Sequence, residues 1–161
     1  MTISVQTNYE GLIEAAWIAV MAGTPGLTAN LGTISGAPAV GAWREYQQIG
    51  ADGYPYAYAH CSGVQRGEEI GNDLVANPGF VNLGIVTLAH DDPDGQICAS
   101  LLGVLSDLVS LSDIVARLNA AQPRLYVYPR GISLIGQSAH DVTTTHHSRA
   151  FLTAARFTAT A

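Results

Sequence analysis

Lysine is absent: the seven basic residues of this 161-residue sequence are all arginine, set against thirteen acidic ones, and charged residues make up only 12% of the chain. Ordinary domains carry about 25% charged residues, and Ala, Gly, Ser, Thr and Asn fill the deficit here. A net charge of −6 and no cluster of cations make a poor grip for nucleic acid, whose binding draws on arrays of Lys and Arg. Long hydrophobic runs are lacking as well. Apolar stretches break within about ten residues, short of the ~20 that a membrane-crossing helix needs. Only Cys61 and Cys98 represent cysteine, and neither belongs to a Cys-x-x-Cys pair, so zinc-ribbon and dithiol signatures are excluded. They are expected as buried thiols of a reducing compartment. No basic segment followed by an apolar core opens the sequence, so no signal peptide is expected. Also missing are the Gly-x-Ser-x-Gly elbow, the phosphate-binding loop and the dinucleotide fingerprint.

What is present is a 48% apolar chain, long enough to bury roughly 70% of its unfolded surface. Disorder is therefore not expected, and one domain over residues 1–161 is. Asn8 is a helix cap ahead of Leu12, Ile13, Trp17 and Val20, which recur at helical spacing. Residues 23–41, rich in Gly and Pro, read as a long connector. Val40 to Ile49 reads as extended. Tyr54 to Cys61 alternates with period two, its Tyr rings and His60 on one face and Ala57, Ala59 and Cys61 on the other. Residues 62–78 read as a polar excursion, and Phe80 to Ala89 as a central strand. A helix or helix pair follows over 97–119, with Ser112-Asp113 as a second cap. Two strands, Leu125 to Ile135 and Ser148 to Thr158, flank a polar tip at Gly136 to His147. The order predicts an α+β fold: one mostly antiparallel sheet with an N-terminal helix and a central helix, or helix pair, packed on one face. The strands on either side of the central helix are expected to pair antiparallel.

Three groupings are candidates for chemistry. His90-Asp91-Asp92-Pro93-Asp94 offers carboxylates and an imidazole for a cation. Aligned as a calcium loop, however, it places His90 and Leu101 where the outer ligands belong, and acidic residues at a helix start are favourable by ~0.3–1 kcal/mol each. The expectation is a helix start. His146-His147, with His140 and Asp141 nearby, has no third ligand at zinc spacing; adjacent strand residues point to opposite faces, and a solvated tip is expected. His60-Cys61 fails as a base–nucleophile pair for the same reason. No catalytic residue, cofactor or metal is expected. Arg66, Glu68, Glu69 and Asp73 form a charged cluster in a charge-poor chain. They and His140, Asp141, His146 and His147 are the expected contact residues for a neighbouring subunit or partner. The aromatics Trp17, Trp43, Tyr46, Tyr54, Tyr56 and Tyr58 are core or interface candidates.

The N-terminal amphipathic helix Asn8 to Met21, the Tyr54-Pro55-Tyr56 strand opening, and the strand Phe80 to Ala89 running into Asp91-Asp92-Pro93-Asp94-Gly95 and a Leu-rich helix come in a distinctive order. With two long C-terminal strands, that order resembles the tail terminators of long-tailed bacteriophages. The resemblance implies a structural virion protein without catalytic residues, made in the host cytoplasm and located at the tail–neck junction. It implies a homo-oligomeric, hexameric ring whose faces meet the tail tube protein and a head-completion or neck protein, with DNA passing through the lumen unbound and no membrane involved. Other neck or head–tail connector proteins are the nearest alternative. A small cytosolic hydrolase or metal-binding enzyme using Cys61 or Asp91, Asp92 and Asp94 is the alternative of another class, and a ligand-binding module on the Tyr54, Tyr56 and Tyr58 face is a third.

Overall fold

The Asn8 side chain accepts the Gly11 backbone N–H at 3.0 Å and so starts helix α1 (Tyr9–Ala22). The computed structural model describes residues 8–64, 69–70, 74–75, 77–137 and 140–159. Helix α1 buries Leu12, Ile13, Ala16, Trp17, Val20 and Met21, the stripe its periodicity predicts. The Gly/Pro-rich connector is more ordered than its composition implies. It holds a single-turn helix α2 (Pro25–Thr28), a two-residue hairpin β1 (Thr33–Ile34) and β2 (Ala37–Pro38), and the short strand β3 (Val40–Ala42).

The expected strand over Val40 to Ile49 stops at Ala42 and gives way to two 3-10 turns, Tyr46–Gln48 and Ala51–Gly53. The reason lies far along the chain. Tyr46 stacks on His146 with ring centroids 4.2 Å apart, and its carbonyl accepts the Tyr54 hydroxyl at 3.1 Å. These contacts fold the segment back where a strand would have carried it past.

The remaining strands are β4 (Tyr56–Val64), β5 (Glu69–Ile70), β6 (Leu74–Val75) and β7 (Asn77–Leu88). After them come helices α3 (Gln96–Val109) and α4 (Ile114–Ala121), then β8 (Leu125–Gln137), β9 (Asp141–Val142) and β10 (His146–Ala159). The main sheet has six strands in the order β3-β4-β7-β10-β8, with β9 also paired to β10, while β5 and β6 form a separate hairpin. All main-sheet pairings are antiparallel except β3 with β4. The polar excursion is thus shorter than expected, since β4 and β7 extend into it from either side.

The strands flanking the central helices do not pair with each other. Both β7 and β8 run antiparallel to β10, which lies between them, so they are parallel to one another and the helix pair forms the crossover. The expected single or broken helix is two helices crossing at 90°. Asp113 sits at the start of α4, but its carboxylate accepts from Arg117 Nε at 3.0 Å and no backbone N–H of the helix.

Strand alternation divides the sheet into two apolar surfaces. Ala57, Ala59, Cys61, Val81, Leu83, Ile85, Phe151, Ala155 and Phe157 face the helices and pack with Trp17, Leu105 and Leu118 into the main core. Tyr56, Tyr58, Val86 and Ala150 face the other way and form a smaller core with Ala39 and Ile49. Tyr58 lies directly across from Gly84 in the β4–β7 register. Its ring covers that glycine so closely that a Cβ there would lie 2.3 Å from the ring. The bare backbone gives the aromatic its seat, a device that pins strand register.

Candidate functional site

The acidic segment after β7 is a helix start, as its composition implies. Asp92 is 1% exposed. Its carboxylate accepts the backbone N–H groups of Ile97 and Cys98, each at 3.0 Å, and the Thr87 hydroxyl at 2.8 Å. Burial alone would raise its pKa. The two N–H donors, the Thr87 hydroxyl and the nearby His147 outweigh burial, and the carboxyl lies below its ordinary value. Gly95 stands just before α3 with φ of +72° and the His147 ring 3.1 Å from where a Cβ would be. Glycine alone suits both demands. Asp91, by contrast, is exposed and pairs with the equally exposed His90 at 3.1 Å. Among the described residues no three of His, Cys, Asp and Glu converge on a point where an ion could sit.

Of the C-terminal histidines expected at a solvated tip, His140 is exposed but His146 and His147 are not. His146 and His147 open β10 and, as adjacent strand residues, point to opposite faces. His147 is buried beside the start of α3, with its Nδ1 3.3 Å from His140 Nε2 and the two rings stacked at 5.5 Å. His146 turns to the tyrosine face. Its ring lies on Tyr46, its Nε2 is 3.1 Å from the Tyr54 hydroxyl, and its Nδ1 is 2.6 Å from the Thr145 hydroxyl. Desolvation lowers the pKa of His146. Desolvation, then Arg149 and His147, lower that of His140 against the raising influence of Asp141. His140 and residues 141–145 of the tip are exposed as expected; His146 and His147 are not, because β10 is longer than its polar sequence suggests and begins at His146. An open cleft of about 380 Å³, lined by Tyr46, Tyr54, Leu88, His90, Thr145 and His146 among others, lies at this end of the sheet.

Neither thiol is placed for nucleophilic work. Cys61 is buried on the helix face while His60 is exposed on the opposite one. Burial raises the Cys61 pKa against the lowering effect of the Gly63 carbonyl contact. Burial likewise pushes Cys98 up to about 11, with its Sγ 3.4 Å from the Ile85 carbonyl. Both are protonated at neutral pH and free.

Of the charged cluster predicted for partner contacts, Arg66, Glu68 and Asp73 lie outside the described residues. Glu69 is described only through its backbone in β5, paired with β6. Asp141 is exposed in β9, paired to β10 at Ser148. The structure therefore brings His140 and His147 together and leaves His146 on the far face.

The sheet margins carry features that sequence reading missed. Strand β8 is outermost, and among the described residues no strand pairs with its free side. At Val127 that side is closed: the Asn119 side chain of α4 donates to the Val127 carbonyl at 3.2 Å and accepts its N–H at 2.7 Å, as a neighbouring strand would. Farther along, Leu134 and Ile135 are 48% and 53% exposed, and Val142 of β9 is 56% exposed. The signal was available, because two successive apolar residues in a strand point to opposite faces and an edge strand seldom buries both. At the other margin, Glu14 of α1 accepts the Cys61 N–H of β4 at 3.0 Å just past the end of β3, and Trp43 is 50% exposed.

Charge follows the same division. Residues 1–113 hold twelve of the thirteen acidic residues and two arginines, Arg44 and Arg66, whereas residues 114–161 hold five arginines and one acid, Asp141. On the β8 side Arg124, Arg130 and, on the adjoining β10, Arg156 are exposed against Asp141 of β9, whereas Glu10, Glu45 and Asp52 are exposed on α1 and the turns after β3, with Arg44 among them. No protein-family model and no curated protein matches the chain.

Proposed function

We propose that this protein acts by assembly, as a ring-forming structural component of the kind its element order resembles: a phage tail terminator that caps the tail tube and joins it to the neck. The observation that carries the reading is the β8 margin, where Leu134 and Ile135, with Val142 of the adjoining β9, leave apolar surface open on an outer strand. Monomeric proteins guard such edges with charge, bulges or covering elements; this chain covers Val127 through Asn119 and shifts register at Ile135, yet Leu134 and Ile135 stay about half exposed there. A surface poor in charge and free of lysine is inexpensive to desolvate, which suits extended subunit contacts. Buried thiols with raised pKa values and a carboxylate spent on capping α3 disfavour the enzymatic alternative at Cys61, Cys98 and Asp92.

Negative-stain imaging of the purified protein, alone and mixed with tail tubes, tests the reading. Rings of uniform diameter seated on tube ends are expected. Featureless monomer with bare tube ends would refute it.

A further inference from the structure

We infer that a second copy of this chain docks head to tail, its acidic β3 margin seated on the basic, apolar β8–β9 margin of the first. The inference rests on the ring reading and specifies which surfaces make the ring.

Each margin carries exposed apolar side chains: Leu134, Ile135 and Val142 on one, Trp43 on the other. They stand at the opposite ends of one sheet, since β3 is the first strand in the order and β8 the last. Their charges are complementary. Glu45 and Asp52 are exposed in the turns that follow Trp43, with Arg44 next to Trp43 in the chain, and Glu10 and Glu14 approach the same side from α1. The opposite margin carries Arg124 and Arg130, exposed before β8 and at its bulge, and Arg156, exposed on the adjoining β10, against Asp141 of β9. Two β8–β9 margins brought face to face would set arginines against arginines, and that repulsion disfavours a two-fold dimer. Joining unlike margins gives a heterologous contact, and such contacts close into rings when the rotation per subunit allows.

Two variants separate this from other ways of associating. Leu134→Asp with Ile135→Asp blocks the β8 margin, and Trp43→Asp blocks the β3 margin. All three side chains are exposed, so both variants should keep the wild-type circular dichroism. Arg130→Glu with Val142→Asp serves as a second β8 block should the first fail to fold. Sedimentation of each variant alone should show self-association weakened at least tenfold relative to wild type. An equimolar mixture should form a one-to-one pair through its single intact interface and nothing larger. If the Trp43→Asp protein still assembles like wild type, or the mixture fails to pair while wild type forms rings, the docking inference is overturned and the ring reading stands. If wild type itself never associates, the ring reading falls and takes the inference with it.

Discussion

Asp92 shows how a single carboxylate can fix a junction of the fold. It ties β7 to the start of α3 through three hydrogen bonds while almost fully buried. Asp92→Ala should therefore lower stability by about 2–3 kcal/mol, the range for losing a charged acceptor and stranding its donors. Urea unfolding would show this as a lower midpoint at unchanged slope. Because its pKa is depressed in the folded state, the stability Asp92 contributes is complete above the ordinary aspartate value of ~3.9. It is lost as pH falls through the lower folded value.

His146 and His140 add an earlier phase of acid sensitivity. Both have folded pKa values below the ordinary histidine value of ~6.5, so the neutral form is the one the fold favours. Their contribution is complete above that value and is lost as pH falls through the folded ones. His146→Phe keeps a ring against Tyr46 but removes the titration, and thermal unfolding between pH 6.5 and pH 5 should then vary less with pH than in wild type. An unchanged pH profile would contradict the burial argument. The thiols supply a further check: Cys61 and Cys98 should react slowly with a disulfide reagent in the native protein and rapidly once it is unfolded in urea.

At the scale of elements, the β4–β7 pairing depends on Tyr58 lying over Gly84. Gly84→Ala forces that ring aside and should cost about 1–3 kcal/mol, as overpacking of a tight core does, measured by the shift in urea midpoint. Substituting the open Gly103 of α3, where an added Cβ meets nothing, should instead be neutral or stabilising, since alanine is favoured over glycine in a helix by up to ~1 kcal/mol. The elements that were legible in the sequence are those whose signal is local. The Asn8 cap, the stripe on α1, the alternation from Tyr56 to Cys61 and the apolar run of β7 all state their partners' side by periodicity alone. The Val40 to Ile49 segment did not, because its conformation depends on a ring stack with His146, a hundred residues away. The insertion of β10 between β7 and β8 was hidden for the same reason, since strand composition says which residues are buried but not which strand lies alongside. Polarity is an ambiguous sign of exposure for the histidines: His140 is exposed, whereas His147 is accommodated beside the α3 start and His146 among tyrosine rings.

At the scale of the whole molecule, the proposed assembly would use surfaces that stand exposed among the described residues. The apolar end of β8, the exposed Trp43 and the charged groups around them are the surfaces the proposed assembly would use. None of them was visible as a motif, because a margin is defined by which strand comes last in the sheet. Net negative charge predicts that the isolated protein will not retard duplex DNA in a low-salt mobility shift, as the proposed ring would require if DNA is to pass through it unbound. The most direct test is the native mass of the purified wild-type protein followed across concentration. A discrete closed multiple of the subunit mass that persists on dilution and weakens as salt rises is expected. A single-chain mass at every concentration and ionic strength would contradict it.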